Sequence, residues 1–324
     1  MRAALCRAYG PPEDIEICEV ADLEPGPGQV VVRVHAAAVN FPDVLLIDGK
    51  YQVKIPPPFT PGSELAGEVT AVGDGVSVPV GQRVSATTFV GAFAEQALLP
   101  ASAVTAIPPG VDFASAAAFG VTYRTAYHAL RSIAGVQPGD WVVVLGAAGG
   151  VGLAAVDLAV AMKARVLAAA SSPEKLELCR RRGAAATVDY DREDLKSRIR
   201  EHTGDGARAV LDPVGGSYSE PALRALARGG TFVTLGYAAG AIPSIPLNLV
   251  LLKGITVRGM EIRTFADDRP GDCARDLHEL TEMFATGVIK PYIGARFPLE
   301  DTAAALRLVA DRKAVGKVVI DVTA

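Results

Sequence analysis

Short apolar runs, mostly β-branched or alternating with polar positions, fill the first third of the chain, and each is cut by a turn signal. Gln29–Ala36 is a nearly continuous run with β-branched residues at its centre; Ile15–Val20, Ala66–Val72 and Arg83–Ala86 are shorter. All four read as strands. Between them stand Glu24-Pro25-Gly26-Pro27-Gly28, Pro61-Gly62 and Gly73-Asp74-Gly75, pairs that favour turns over either regular element. Of the 22 prolines, 13 fall before residue 110. A β-rich domain with irregular loops is expected there.

From about residue 115 the rhythm changes. Ala114–Ala129 is Ala-rich with helical spacing. Trp141–Leu145 reads as a buried strand, followed by a glycine turn and an apolar helix to Met162. Arg165–Ala170 is the next strand, and Pro173–Arg182 a helix with Ser172 as its N-cap and proline at its first position. Asp191–Thr203 is amphipathic, with Leu195 and Ile199 on one face. Ala209–Leu211, Thr231–Leu235 and Ile255–Met260 read as strands, and Ser217–Ala227 as a helix. Strands alternating with helices imply a doubly wound parallel sheet. The tail departs from that series: a helix from Asp272 to about Gly287, another at Glu300–Asp311, and a last strand at Lys317–Val322.

The chain has 324 residues, about twice a usual domain, so two domains are expected. Half the residues are hydrophobic and 21% are charged, enough for a large core and far from a disordered composition. A net charge of −4 gives no general attraction to nucleic acid or anionic membrane. The first residues turn charged and Pro-rich within about ten positions, unlike a signal peptide. The uncharged run Val142–Val156 is too short and too Gly-broken to span a bilayer. Cys6, Cys18, Cys179 and Cys273 have no metal-ligand spacing, and a cytoplasmic location is expected. His35, His128, His202 and His278 are dispersed, and each is expected at the surface of a helix or strand.

The chemistry concentrates at Gly146-Ala147-Ala148-Gly149-Gly150-Val151-Gly152, between an expected strand and an expected helix. Dinucleotide sites need a tight turn there, a backbone close to the pyrophosphate, and a residue without Cβ where helix meets strand. Helix N–H groups and dipole then hold the phosphates. Gly149 and Gly152 match the second and third glycines of the fingerprint; Ala147 stands where the first would be. An NAD site usually carries an acid at the end of the second strand. Here Leu167–Ser172 has none. A carboxylate would repel a 2′-phosphate, whereas Ser171 leaves room for it. Lys175 follows one turn into the helix and Tyr190 ends the next short strand, so NADPH is the expected cofactor. Taken alone, Lys175 would read as a solvated helix lysine, and Arg180-Arg181-Arg182 as a solvated helix end.

At this point a family is recognisable. Val34–Asn40 with Pro42-Asp43, Asp48–Tyr51, Pro61–Glu64 with Gly67, Gly120-Val121-Thr122 with Thr125-Ala126, the glycine turn, Asp212–Gly216, Gly287–Pro291 and Gly316-Lys317 follow in order. In them the chain resembles the zinc-independent, zeta-crystallin-like quinone oxidoreductases of the medium-chain dehydrogenase/reductase superfamily. The resemblance runs over essentially the whole chain. It implies an α/β fold: a GroES-like β-rich catalytic domain (residues 1–118), a Rossmann NADPH-binding domain (119–262) and a return to the catalytic domain (263–324). It further implies an active site in the cleft between domains, and a homodimer pairing edge strands near Ile255–Met260. Zinc-dependent relatives carry a ligand cysteine where this chain reads Asn40-Phe41-Pro42-Asp43, a ligand histidine where it has Ser63, and a four-cysteine lobe near Thr87–Ala97. With those ligands replaced, no metal is expected.

Carried over by position, the resemblance puts Asn40, Asp43, Tyr51 and Thr122 at the nicotinamide and substrate. It gives Ala148, Gly149, Gly150, Val151, Ser171, Lys175 and Tyr190 to the pyrophosphate, ribose and 2′-phosphate. Gly236, Tyr237, Gly259, Met260, Glu261 and Arg312 would line the cofactor elsewhere. Asn40 is expected to orient substrate or nicotinamide, Tyr51 to donate to substrate oxygen, and Thr122 to bond the carboxamide. Blander readings stand beside these: Tyr51 as a loop anchor, Thr122 as a helix-cap hydroxyl, Asp43 as a structural backbone acceptor. The expected substrate is a small quinone. The alternatives are an enone (a 2-enoyl thioester or 2-alkenal) and, in another class, an NADPH-binding structural or RNA-interacting protein, against which the balanced charge argues.

Overall fold

The computed structural model describes residues 1–323. Its strands are β1 (Arg2–Leu5), β2 (Glu16–Glu19), β3 (Gln29–Val39), β4 (Glu64–Val72), β5 (Arg83–Thr87), β6 (Gln96–Pro100), β7 (Val104–Ala106), β8 (Trp141–Leu145), β9 (Arg165–Ala170), β10 (Ala186–Asp189), β11 (Ala207–Asp212), β12 (Leu226–Thr234), β13 (Thr256–Gly259), β14 (Ile293–Pro298) and β15 (Lys317–Asp321). They divide between two units. One is Met1–Val121 together with the chain from Pro291 onward; the other is Thr122–Lys290.

The first unit is the GroES-like fold. Its main sheet runs β14-β15-β3-β4-β5-β7, with β6 also paired to β3. The long strand β3 is central because its apolar run is buried nearly throughout. Val30, Val32 and Val34 join Leu65, Val84, Phe93, Leu99 and, from the chain's far end, Leu306 and Ile320 in one core. The C-terminal strand enters this sheet directly, with Val319 opposite Ala38 and Ile320 opposite Ala37. That pairing is why the tail leaves the βα rhythm. The helix Phe41–Ile47 follows β3 at once, with Asn40 as N-cap and Pro42 in its first turn.

The second unit is a doubly wound sheet of order β10-β9-β8-β11-β12-β13, in which every pairing is parallel. Its central strands are apolar along their length, as burial on both faces requires. Two expectations change here. The Ala-rich stretch is not one helix but Phe113–Ala117, Gly120–His128 and a π-helical turn at Ala129–Ile133. The crossing back comes at Pro291, not at residue 263. Helices Ile262–Asp268 and Pro270–Ala285 stay with the parallel sheet because polar side chains tie the second of them to the helical segment before β8. Tyr127 Oη donates to Glu279 Oε2 at 2.6 Å, and His128 Nδ1 lies 2.9 Å from Asp276 Oδ2.

His128 is therefore not at the surface. It is buried against Asp276 and the Phe265 ring, whose centroid lies 4.3 Å from its own. Among the described residues no helix is long and apolar enough to cross a membrane.

Candidate active site

The glycine turn leaves β8 at Gly146, whose φ of +57° is open to glycine but costly for other residues. The helix Gly150–Ala161 then begins on Gly149, with no side chain capping it. A Cβ on Gly152 would lie 2.2 Å from the Gly146 carbonyl oxygen. Only glycine lets the helix start this close to the turn. The Gly149 N–H is spent on Gly146 O at 2.9 Å. The next N–H groups, at Gly150 and Val151, have no acceptor within the helix. An uncapped twelve-residue helix over a tight glycine turn fits a diphosphate. Ala148 is buried beside it.

The end of β9 decides the second half of the fit. Ser171 follows Ala170 directly, and Lys175 turns back from the next helix to donate from Nζ to Ser171 Oγ at 3.2 Å. Ser172 caps that helix, as its sequence suggests. The Tyr190 ring, just past β10, packs on Tyr218 with centroids 4.2 Å apart. A hydroxyl, an ammonium and a phenol thus follow adjacent strand ends, and Leu167–Ser172 carries no carboxylate. These residues fit a ribose bearing a 2′-phosphate.

The other expected residues of this unit follow the same logic. Gly236 and Tyr237 come after β12, and Met260 and Glu261 after Gly259, the last residue of β13. Carboxyl ends of parallel strands, beside the point where strand order reverses between β8 and β11, are where such sheets bind ligands. Glu261 is already engaged, capping the helix Ile262–Asp268 by accepting from Thr264 N at 2.9 Å. Asp212, at the end of β11, fixes the neighbouring turn by accepting from Val214 N and Gly215 N, each at 2.8 Å. Thr122 is buried in the first turn of its helix. Of the arginine triplet, Arg182 is engaged within the fold: its Nε donates to Asp157 Oδ1 at 2.7 Å, and Asp157 also accepts from Tyr123 Oη at 2.6 Å.

In the first unit, Asn40, Asp43 and Tyr51 lie at the start of the helix Phe41–Ile47, within it and just after it. Asp43 Oδ2 accepts the Asn40 N–H at 2.7 Å, the structural role read as one possibility from sequence. Its carboxyl is wholly buried, and burial pushes its pKa up to about 7 against the opposing pull of hydrogen bonds from Asn40 and Ser63. Tyr51 N donates to Leu45 O at 3.1 Å, which anchors the loop's start, and the Tyr51 ring lies 6.1 Å from that of Phe89. Arg312 is exposed, at a φ of +59° after the helix Thr302–Ala310.

Two residues of this neighbourhood received no role from sequence. Glu64 and Lys317 are buried as an ion pair at 3.1 Å, and Asn40 bonds both. The signal available was a glutamate and a lysine each placed directly before apolar residues, at the start of a strand. Among the described residues no group of three or more His, Cys, Asp or Glu side chains is placed to hold a metal ion.

Comparison with known proteins agrees with this architecture. Residues 26–109 match the model described as alcohol dehydrogenase GroES-like domain, and residues 150–281 the one described as zinc-binding dehydrogenase. A quinone oxidoreductase-like protein 2 homolog of Nematostella vectensis is 38% identical, over 99% of this chain and 88% of its own. Among solved structures, Escherichia coli quinone oxidoreductase complexed with NADPH superposes with a TM-score of 0.91 at 28% identity, covering 99% of this chain and 100% of that one. The quinone oxidoreductase of Thermus thermophilus, solved alone and with NADPH, gives 0.84 at 33% identity, covering 99% and 100%.

Proposed function

The chain belongs to the zinc-independent quinone oxidoreductase family of the medium-chain dehydrogenases and reductases, and we propose that it is an NADPH-dependent reductase of quinones. The observation that carries this reading is the uncapped helix start at Gly149, beside a strand end where Ser171, bonded by Lys175 from the following helix, stands in place of an acid. NADPH bound there supplies the hydride. Gly150 and Val151 would hold its diphosphate through their backbone N–H groups and the helix dipole, and Gly149, with no side chain, lets it come close to the turn. Ser171, Lys175 and Tyr190 receive the 2′-phosphate. Two charge-assisted bonds, partly offset by desolvation, favour NADPH over NADH by about 2–4 kcal/mol, roughly 30- to 700-fold.

Gly236, Tyr237, Gly259, Met260, Glu261 and Arg312 are assigned to the rest of the cofactor, and Thr122 to its carboxamide. Asn40 and Tyr51 serve the acceptor, offering an amide N–H and a phenol to its oxygen. A quinone asks for little more, because its developing negative charge spreads over the ring. At the positions where metal-dependent members carry zinc ligands, this chain offers an amide and a hydroxyl, a poor donor set for zinc.

The reading includes a homodimer. Among the described residues β13 pairs with β12 alone, and all four residues of β13 are exposed. Leu247, Leu251 and Leu252 are exposed on the helix just before it, Leu251 to 81%. An open strand edge with an apolar rim is a surface that a second copy covers.

The test is an NADPH oxidation assay across benzoquinones, naphthoquinones, alkenals and enoyl-CoA. Turnover with quinones supports the reading. Turnover confined to the enones moves the substrate to that class, and NADPH affinity with no turnover on any acceptor overturns the enzyme reading.

A further inference from the structure

Beneath Asn40 lies a buried polar arrangement that none of the roles above uses. Lys317, the first residue of β15, is 3% exposed, and Glu64, the first residue of β4, is 1%. Asn40 bonds both members of this ion pair. Lys317 Nζ donates to Asn40 Oδ1 at 2.7 Å and to Glu64 Oε2 at 3.1 Å. Asn40 Nδ2 donates to the same Oε2 at 3.1 Å. The other carboxylate oxygen, Glu64 Oε1, accepts from Val121 N at 2.7 Å.

An amide head group has nearly the same shape with its oxygen and nitrogen exchanged, so packing alone does not choose between the two orientations. The ion pair does. Turned over, Asn40 would set its N–H groups against an ammonium and its oxygen against a carboxylate. Two attractive contacts would become two repulsive ones where little water screens them.

We propose that Lys317 and Glu64 are positioning residues for the reaction, locking Asn40 so that it presents an N–H donor, never its oxygen, to the acceptor's carbonyl. One Nδ2 hydrogen is held by Glu64. The second, fixed in the same amide plane, is engaged only by long contacts of 3.4 Å, to Ser63 Oγ and Ala38 O, so it is the one left for a substrate oxygen. The proposal rests on the reading of Asn40 as a substrate-facing residue, and it deepens that reading: Asn40 selects acceptors with a hydrogen-bond-accepting oxygen.

Removing one partner would strand the other as a buried charge, so the informative variant is the double substitution Lys317→Met with Glu64→Gln. A glutamine bonds either face of an amide equally well, which keeps a hydrogen bond and erases its polarity. The double variant, checked by thermal melt, is expected to bind NADPH within about two-fold of the parent and to lose about ten-fold or more in kcat with 1,4-naphthoquinone. Lys317→Arg keeps the cation and is expected to stay within about three-fold. A folded double variant with the parent's kcat overturns the proposal, as does an arginine variant as slow as the double.

A second readout needs neither turnover nor a variant that folds. In the parent labelled with 15N-asparagine, the two Nδ2 protons of Asn40 should exchange with solvent at rates at least about ten-fold apart, one held by the carboxylate and one loose. Equal exchange overturns the lock. If the parent reduces no quinone yet shows the unequal pair, the functional reading fails while the lock stands.

Discussion

Gly152 sits so close to Gly146 that a single carbon added to it would lie 2.2 Å from the Gly146 carbonyl oxygen. The obstacle is backbone, which cannot swing aside. Gly152→Ala must therefore either push the helix Gly150–Ala161 off the turn or distort the turn itself, at a cost of about 1–3 kcal/mol. In both cases the N–H groups at the helix start lose their aim. NADPH affinity measured by fluorescence titration should fall at least about ten-fold. A folded variant with unchanged affinity would mean that this turn does not hold the diphosphate.

Asp43 predicts a pH dependence of stability. Its carboxyl is buried and its pKa is raised to about 7, with desolvation the main cause. A folded state that prefers the protonated acid binds more protons than the unfolded chain, whose aspartates titrate near about 3.9. This contribution to stability is complete below the unfolded pKa and is lost as pH rises through the folded one, over a window from about 4 to 7. Asp43→Asn has no such titration and its oxygen can still accept from Asn40 N. The parent's Tm should therefore drop relative to the variant's as pH goes from about 5 to about 8. Parallel profiles would contradict the raised pKa.

Tyr51→Phe keeps the ring beside Phe89 and removes only the hydroxyl. Loss of one donor to a developing oxyanion should lower kcat with an enone by about ten- to a hundred-fold while NADPH affinity stays within about two-fold. Unchanged turnover would leave Tyr51 as a loop anchor only.

For the edge at β13, sedimentation should give the parent twice the 33.6 kDa chain mass. Leu251→Asp places a charge on its most exposed leucine and should return the chain to single copies. A parent that sediments as one copy contradicts the homodimer.

Much of this was legible in the letters because it is local. Trp141–Leu145 and Arg165–Ala170 fold as the strands their patterns indicate, for a strand buried on both faces shows an unbroken apolar run. The glycine turn declares itself because its spacing is set by backbone geometry. The helix Phe41–Ile47 is too short to show a period, yet it carries Asn40 as its N-cap and Asp43 in its first turn. His128 looked like any polar helix residue. Its burial depends on Asp276, 148 positions away. The partnership of Asn40 with Lys317 spans 277 positions and exists only because β15 returns to pair with β3. The crossing point at Pro291 depends likewise on contacts between distant helices, such as Tyr127 with Glu279, which no local pattern encodes.

A titration of the purified chain with NADPH and with NADH, followed by nicotinamide fluorescence, tests the cofactor site most directly. NADPH should bind about 30- to 700-fold more tightly, and Lys175→Ala should narrow that gap by about ten-fold with NADH affinity unchanged. A folded chain that binds neither dinucleotide, or that holds NADH as tightly as NADPH, would contradict the NADPH site.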